Sequence, residues 1–227
     1  MSIIKKFIVI TDIHGKKENF ALISTELSKA DLIIFCGDIT HFGEKETAEE
    51  ILKEMGKYNH NFIGVIGNCD YPEVEKCFVE KSCSIASESI TKYRITFIGL
   101  SGSLITPSNT PNEHNEEYYK EELKKKSVSI KGKQEKVILI SHQPPFGTIN
   151  DKLPFGYHSG SCEIRSFIEN TQPLICFTGH IHEGIGVDYL WKTPIVNPGA
   201  FRSGHYASVE IDITSFDFDI RLKQVNV

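Results

Sequence analysis

Short apolar runs, almost uninterrupted and rich in β-branched residues, recur at 7–10, 32–35, 62–66, 95–98, 137–140, 174–177 and 195–196, each closed by a polar or glycine-bearing turn. Runs without polar interruption suit strands covered on both faces. Between the early runs lie segments 16–28 and 46–57; in the first, Phe20, Leu22, Ile23 and Leu27 fall near helical spacing, so both read as helices. A strand, helix, strand rhythm implies parallel pairing and an α/β class. Beyond Val187 the rhythm changes to close-set strand candidates with a turn at 191–194, followed by alternating segments at 206–213 and 216–222. This end is expected to be antiparallel and to form a second sheet. Segment 116–126 reads as a strongly charged helix with a solvated face, Tyr118, Tyr119 and Leu123 marking its buried side.

Composition narrows the class. With 227 residues, 40% hydrophobic and 24% charged, the chain is expected to form one soluble domain over 1–227. A chain of this size hides roughly 70–75% of its surface on folding, so its core needs no staple and a bound metal would serve function. The net charge of -5 removes the broad positive field that nonspecific nucleic-acid or anionic-membrane binding uses. Neither stable nucleic-acid binding nor membrane association is expected. Lys5 and Lys6 precede an apolar run too short for a secretory signal. Six cysteines show no C-x-x-C pair, and Cys36 and Cys176 lie in apolar runs, which points to reduced thiols and a cytoplasmic protein.

Residues able to do chemistry stand directly after the apolar runs. Five of the runs end in metal-ligand residues: Asp12 and His14, Asp38, Asn68 with Asp70, His142, and His180 with His182. In open α/β sheets, sites gather just outside the carboxyl ends of strands, and if the five runs are neighbours in one sheet their tips converge. Turn preference explains an isolated Gly-Asp, but it poorly explains so many histidines at strand ends. Asp12 and His14 stand two apart on an extended segment and point the same way, as do His180 and His182. Asp38, with two carboxylate oxygens, suits a shared ligand between two ions. Two divalent ions over two carboxylates and a hydroxide would leave about one net positive charge for an anionic phosphoester. The nitrogen-rich donor set suits Mn, Fe, Ni, Co or Zn better than Mg or Ca, and Mn is the ion expected first.

Taken in order and spacing, Asp-x-His, Gly-Asp, Gly-Asn-x-Asp, His and Gly-His-x-His resemble the calcineurin-like metallophosphoesterases, from Phe7 to about Gly199. The resemblance implies a four-layer α/β/β/α sandwich with a dinuclear site at the strand tips. It implies that Asp12, His14, Asp38 and His182 hold one metal and that Asp38, Asn68, His142 and His180 hold the other. It further implies in-line attack by a bridging hydroxide on a small phosphodiester or phosphomonoester. Many relatives carry a histidine that protonates the leaving oxygen where this chain has Cys69, a poor acid with an unperturbed pKa near 8.5. The Gly-Asn-Cys-Asp form is similar to a small single-domain bacterial and archaeal branch with phosphodiesterase activity, and diesters with acidic leaving groups need less acid help. The Asp-Arg segment of the protein serine/threonine phosphatases is missing after Asp38, which argues against a protein phosphatase.

His41, His158 and His205 are therefore the candidate replacement acids, and Arg202 a candidate phosphate ligand. Asp70 reads as an outer hydrogen-bonding support, Cys69 as an inert small residue and Arg165 as a structural ion-pair partner. Phe155 and Tyr157 are candidate pocket residues, and loop 101–112, long for a plain connection, a candidate lid. A noncatalytic scaffold would be expected to have lost ligands. A nuclease of the same superfamily fits poorly with the acidic balance.

Overall fold

The computed structural model describes residues 2–132 and 136–227. The chain opens with β1 (Ile4–Ile10), α1 (Ser24–Lys29), β2 (Leu32–Cys36), α2 (Lys45–Gly56), β3 (Phe62–Val65) and α3 (Pro72–Glu80). Next come β4 (Ile90–Lys92), β5 (Ile95–Leu100), β6 (Ser103–Leu104), β7 (Glu113–His114), α4 (Glu116–Ser129), β8 (Val137–Ser141), α5 (Cys162–Thr171) and β9 (Ile175–Thr178). Four strands close it: β10 (Gly186–Leu190), β11 (Thr193–Asn197), β12 (His205–Asp212) and β13 (Phe218–Gln224). Every apolar run has become a strand, and β2, β8 and β9 are buried throughout. The 16–28 segment forms a 3-10 turn (Lys17–Ile23) ahead of α1, burying Phe20, Ile23 and Leu27 while Leu22 stays exposed.

Two sheets stack face to face. One has the order β13-β12-β1-β2-β3 and the other β10-β11-β9-β8-β5-β4. Pairings β1–β2 and β2–β3 are parallel, as are β5–β8, β8–β9 and β9–β11. Side-chain alternation splits the core into three apolar layers. Phe7, Val9, Leu32, Ile34 and Val65 meet Phe97, Ile138, Ile140 and Phe177 between the sheets. The alternate residues Ile8, Ile10, Ile33 and Phe35 pack under α1, α2 and α3 through Leu27, Ile51, Met55 and Phe78. On the far side Ile98, Leu139 and Cys176 pack under α4 and α5 through Tyr119, Leu123 and Ile168. The result is the α/β/β/α sandwich.

Two expectations need correction. The five ligand-bearing runs are not neighbours in one sheet: β1, β2 and β3 belong to one and β8 and β9 to the other. Their tips still meet, because the sheets stack with these carboxyl ends at one end of the sandwich; the His180 N–H reaches Asp12 Oδ2 at 3.2 Å across the gap. The C-terminal strands do not make a sheet of their own. Instead β12 pairs antiparallel with β1, from Ile4 opposite Asp212, and β11 joins β9 in parallel, since both edges offered unpaired backbone. The charged helix keeps its expected buried side through Tyr119 and Leu123 and buries Lys126 as well, its Nζ donating to the Ala86 carbonyl. Helix α3 follows a signal that the apolar pattern does not supply, Pro72 at its first turn with Glu73 and Glu75 beside it. All six cysteines are free, and no described helix is long and apolar enough to cross a membrane.

Candidate metal centre

The strand tips bend sharply where the polar residues begin. Asp12, His14, Asp38 and His180 all adopt left-handed backbone, with φ of 53°, 47°, 49° and 67°. Non-glycine residues accept that conformation only at a cost of roughly 1 kcal/mol or more each, so the surroundings must hold it. Backbone bonds do so: Asp12 N–H donates to Gly37 O at 3.0 Å and His14 N–H to Asp38 O at 2.9 Å. Two glycines permit the close approach of the neighbouring tips, since a Cβ at Gly37 would run into His142 and one at Gly67 into Asp38.

The side chains then converge. His14 Nε2 and His182 Nε2 lie 3.4 Å apart, with Asp12 Oδ1 at 3.1 Å from His182 Nε2 and Asp38 Oδ2 at 3.6 Å from His14 Nε2. Asn68 Oδ1 lies 2.9 Å from His142 Nε2 and 2.8 Å from His180 Nδ1. Asp38 Oδ1 stands 3.5 Å from His142 Nε2, so its two oxygens face the two halves of the cluster. Ligand atoms of Asp12, His14 and His182 lie within 4.8 Å of one another, as do those of Asp12, Asp38 and His142.

The donor chemistry fits cations. His142 Nδ1 donates to the Cys36 carbonyl at 2.7 Å, so a neutral His142 turns the Nε2 lone pair toward Asn68 Oδ1 and Asp38 Oδ1. Acceptors facing one another in a buried site require a positive charge between them. Burial alone would keep His142 neutral, yet Asp38 raises its pKa to about 9, so a proton stands where a cation would otherwise be held. Burial would also raise both carboxyls, but the neighbouring histidines hold Asp12 and Asp38 below the usual carboxylate range. Burial lowers His14, and lowers His180 to about 4, leaving both rings neutral at pH 7 with a free lone pair.

The calcineurin-like phosphoesterase family model matches residues 5–184. This chain belongs to the calcineurin-like phosphoesterase family. A protein of Methanocaldococcus jannaschii, MJ1162, is 36% identical over 197 residues, covering 85% of this chain and 87% of that one. The solved structure of TT1561 from Thermus thermophilus has a TM-score of 0.69 at 14% identity, over 96% of this chain and 99% of that one. A putative 5'-nucleotidase from Staphylococcus aureus has a TM-score of 0.64 at 14% identity, over 99% of this chain and 55% of its own. At such identities the likeness is one of fold.

Around the cluster the other singled-out residues separate. His41 lines the cavity in front of the cluster, its Nδ1 3.4 Å from His14 Nδ1. Arg202 places Nη2 3.2 Å from His182 Nδ1; a cation on His182 Nε2 would displace the ring proton to Nδ1 and with it this contact. His158 is not brought into the cavity, because its Nδ1 bonds Asp151 Oδ1 at 2.8 Å. His205 begins β12 opposite Gln224, also outside the lining. Phe155 and Tyr157 project into solvent at 99% and 71% exposure rather than lining the cavity. Arg165 pairs with Glu169 on α5 at 2.9 Å.

Asp70 is fully buried and accepts from the Ile39, Thr40 and Gly67 amides and the Thr40 hydroxyl. Burial and the Asp38 charge push its pKa up to about 6, and its bonds tie the Asp38 and Asn68 turns together. Cys69 Sγ lies near His14 and Asp38; burial and the Asp38 charge hold it as a thiol. Sequence pattern does not single out two residues that matter here, Thr110 and Glu113. Thr110 donates its hydroxyl to Glu113 Oε1 at 2.6 Å and so offers a lone pair to Asn68 Nδ2 at 2.9 Å, which turns Asn68 Oδ1 inward. The signal lay in the unusual length of loop 101–112, which Glu113 cross-links internally through Thr106 and Thr110.

Proposed function

We propose that this chain binds two divalent ions, Asp12, His14, Asp38 and His182 holding one and Asp38, Asn68, His142 and His180 the other, and hydrolyses a small phosphodiester in preference to a monoester. The observation that carries the reading is the convergence of buried acceptors on His142 Nε2, where Asn68 Oδ1 stands at 2.9 Å with no proton to share unless the ring is charged. When bound, such ions lower the pKa of water toward about 7 and offset charge on the phosphoryl oxygens.

The chain's own residues do the rest. Asp38 spans both halves of the cluster, the Asp70 network holds the turns, and the Glu113–Thr110 pair orients Asn68. Water oxygen bonds to phosphorus, the ester P–O bond breaks, and His41, on the cavity wall beside His14, delivers a proton to the leaving oxygen in the role that Cys69 cannot fill. Arg202, next to His182, receives a phosphate oxygen. The mixed carboxylate, amide and imidazole donors suit a first-row transition ion, manganese first, with Fe, Ni, Co or Zn as alternatives, and the free thiols favour a cytoplasmic setting.

The test is elemental analysis of protein purified under metal control, with hydrolysis of a bis-aryl phosphate compared with the aryl monoester across Mn, Ni, Fe, Zn and Mg. Two ions per chain with faster diester turnover is the expected result. Monoester preference would replace the diester reading, and neither metal nor turnover would overturn the proposal in favour of a binding scaffold.

A further inference from the structure

The cavity in front of the cluster measures about 510 Å³, ample for more than a phosphate group. Its floor is the cluster itself, but its outer wall is apolar, built from Phe42, Leu104, Ile105, Pro107, Leu153 and Ile181. Several of these face water: Ile105 is 70% exposed and Phe42 46%. Contiguous apolar surface beside a polar centre marks a ligand groove more often than chance exposure does. The wall is also preformed. Leu104 N–H donates to Gln143 Oε1 at 2.9 Å, Ile105 N–H to His114 O at 3.2 Å and Leu153 N–H to Tyr157 O at 2.7 Å.

Two further features narrow the ligand. The lining contains no lysine or arginine, and beyond Asp38 and the histidines its one charged side chain is Glu183. Arg202 beside His182 serves the reacting phosphate at the floor, but further phosphates lying along the wall would meet no clamp and one repelling carboxylate. Three of the wall's polar groups are already committed to hydrogen bonds within the protein. Gln143 Nε2 donates to Ser159 O at 2.8 Å, the Ser159 hydroxyl to Asp151 O at 3.2 Å, and the Thr106 hydroxyl to Glu113 Oε1 at 2.6 Å. These groups are not free to read the hydrogen-bonding edge of a nucleobase.

We infer that this cavity is a subsite for an apolar ester arm, so that the substrate is a monoanionic phosphodiester whose second ester group is an alkyl or aryl group lying against Ile105 and Leu153. The inference rests on the phosphoesterase reading above. Hydrolysis adds water across the other P–O bond, releasing that alcohol and leaving the apolar arm on a phosphate monoester. Each methylene buried should raise kcat/KM by up to about fourfold until the cavity is filled.

The experiment uses the metal-loaded full chain and monomeric p-nitrophenyl phosphate diesters whose second arm is methyl, butyl, octyl, phenyl, 2,3-dihydroxypropyl or thymidine. The expected result is a rise in kcat/KM of about tenfold or more from methyl to octyl, with the dihydroxypropyl ester no better than methyl. Ile105→Asn and Leu153→Asn should each cut the octyl-to-methyl ratio severalfold. Circular dichroism and bound-metal content of each variant show whether fold and metals persist. A flat alkyl series, or thymidine outrunning octyl and phenyl, overturns the inference while leaving the phosphoesterase reading intact. No turnover of any diester by metal-loaded protein sinks the underlying reading instead.

Discussion

The floor of the cavity and its wall are built on opposite principles. The floor is made by backbone: strained left-handed residues at the strand tips, glycines that let those tips touch, and carboxylates buried to 1–2% exposure at Asp12 and Asp38. The wall is made by side chains on loops, with Leu104, Ile105 and Leu153 partly or largely open to water. A floor of this kind tolerates almost no change, because each ligand's position is tied to another's through one hydrogen-bonded turn. The apolar side chains of such a wall can be altered one at a time without moving the floor. Chemistry common to a family belongs on the first, and substrate choice on the second.

The sharpest way to break this contrast is Asp38→Ala. It removes the one carboxylate that faces both halves of the floor, and turnover should fall by at least about a thousandfold while circular dichroism shows the sandwich intact. Near wild-type hydrolysis in metal-defined buffer would contradict the proposed roles. A smaller effect is expected of His41→Ala, which stands between floor and wall. With an alkyl leaving group the rate should drop by about a hundredfold or more, the range of general acid catalysis, whereas p-nitrophenolate, which needs no proton, should leave at a rate changed far less. Equal losses on both would remove His41 from the acid role.

The gentlest perturbation is Thr110→Val, which strips Asn68 of the acceptor that orients it. Metal affinity should weaken by about 10- to 100-fold, as loss of a supporting partner does, and Thr110→Ser should restore it. The supporting carboxylate adds a pH signature. Glu113 is opposed by burial, but the Thr106 and Thr110 hydroxyls and amides outweigh this and lower its pKa to about 2. A depressed acid stabilises the folded loop fully above its ordinary pKa near 4.5 and loses that contribution as pH falls from there toward 2. Protection factors of the Thr106 and Thr110 amides should therefore fall across that window in wild type, and already be lowered at pH 7 in Glu113→Gln. Unchanged protection in both would detach Glu113 from the loop.

The strands were legible because the two-sided apolar runs at 32–35 and 137–140 leave a strand no exposed face, and β2 and β8 are buried as such runs require. The clustered residues from Asp12 to His182 were legible for a different reason: they lie within a few residues of a strand end, so local backbone already aims them. His158 and His205 had no such local constraint. His158 turned to Asp151 at 2.8 Å, a partner that sequence neighbourhood alone does not select over solvent or a substrate.

By itself, then, the amino-acid order determined the long buried strands, the α/β class and the short motifs, all of which arise from interactions between residues near one another in the chain, whereas the short β4, β6 and β7 left no such signal. Only tertiary structure decided that the motifs come from two sheets rather than one, that β12 returns to pair with β1, and that Thr110 rather than a lid residue supports Asn68. Those outcomes depend on contacts between segments far apart in sequence, such as Asn68 and Thr110, whose partners are selected by packing of the two apolar faces between the sheets and not by any local preference.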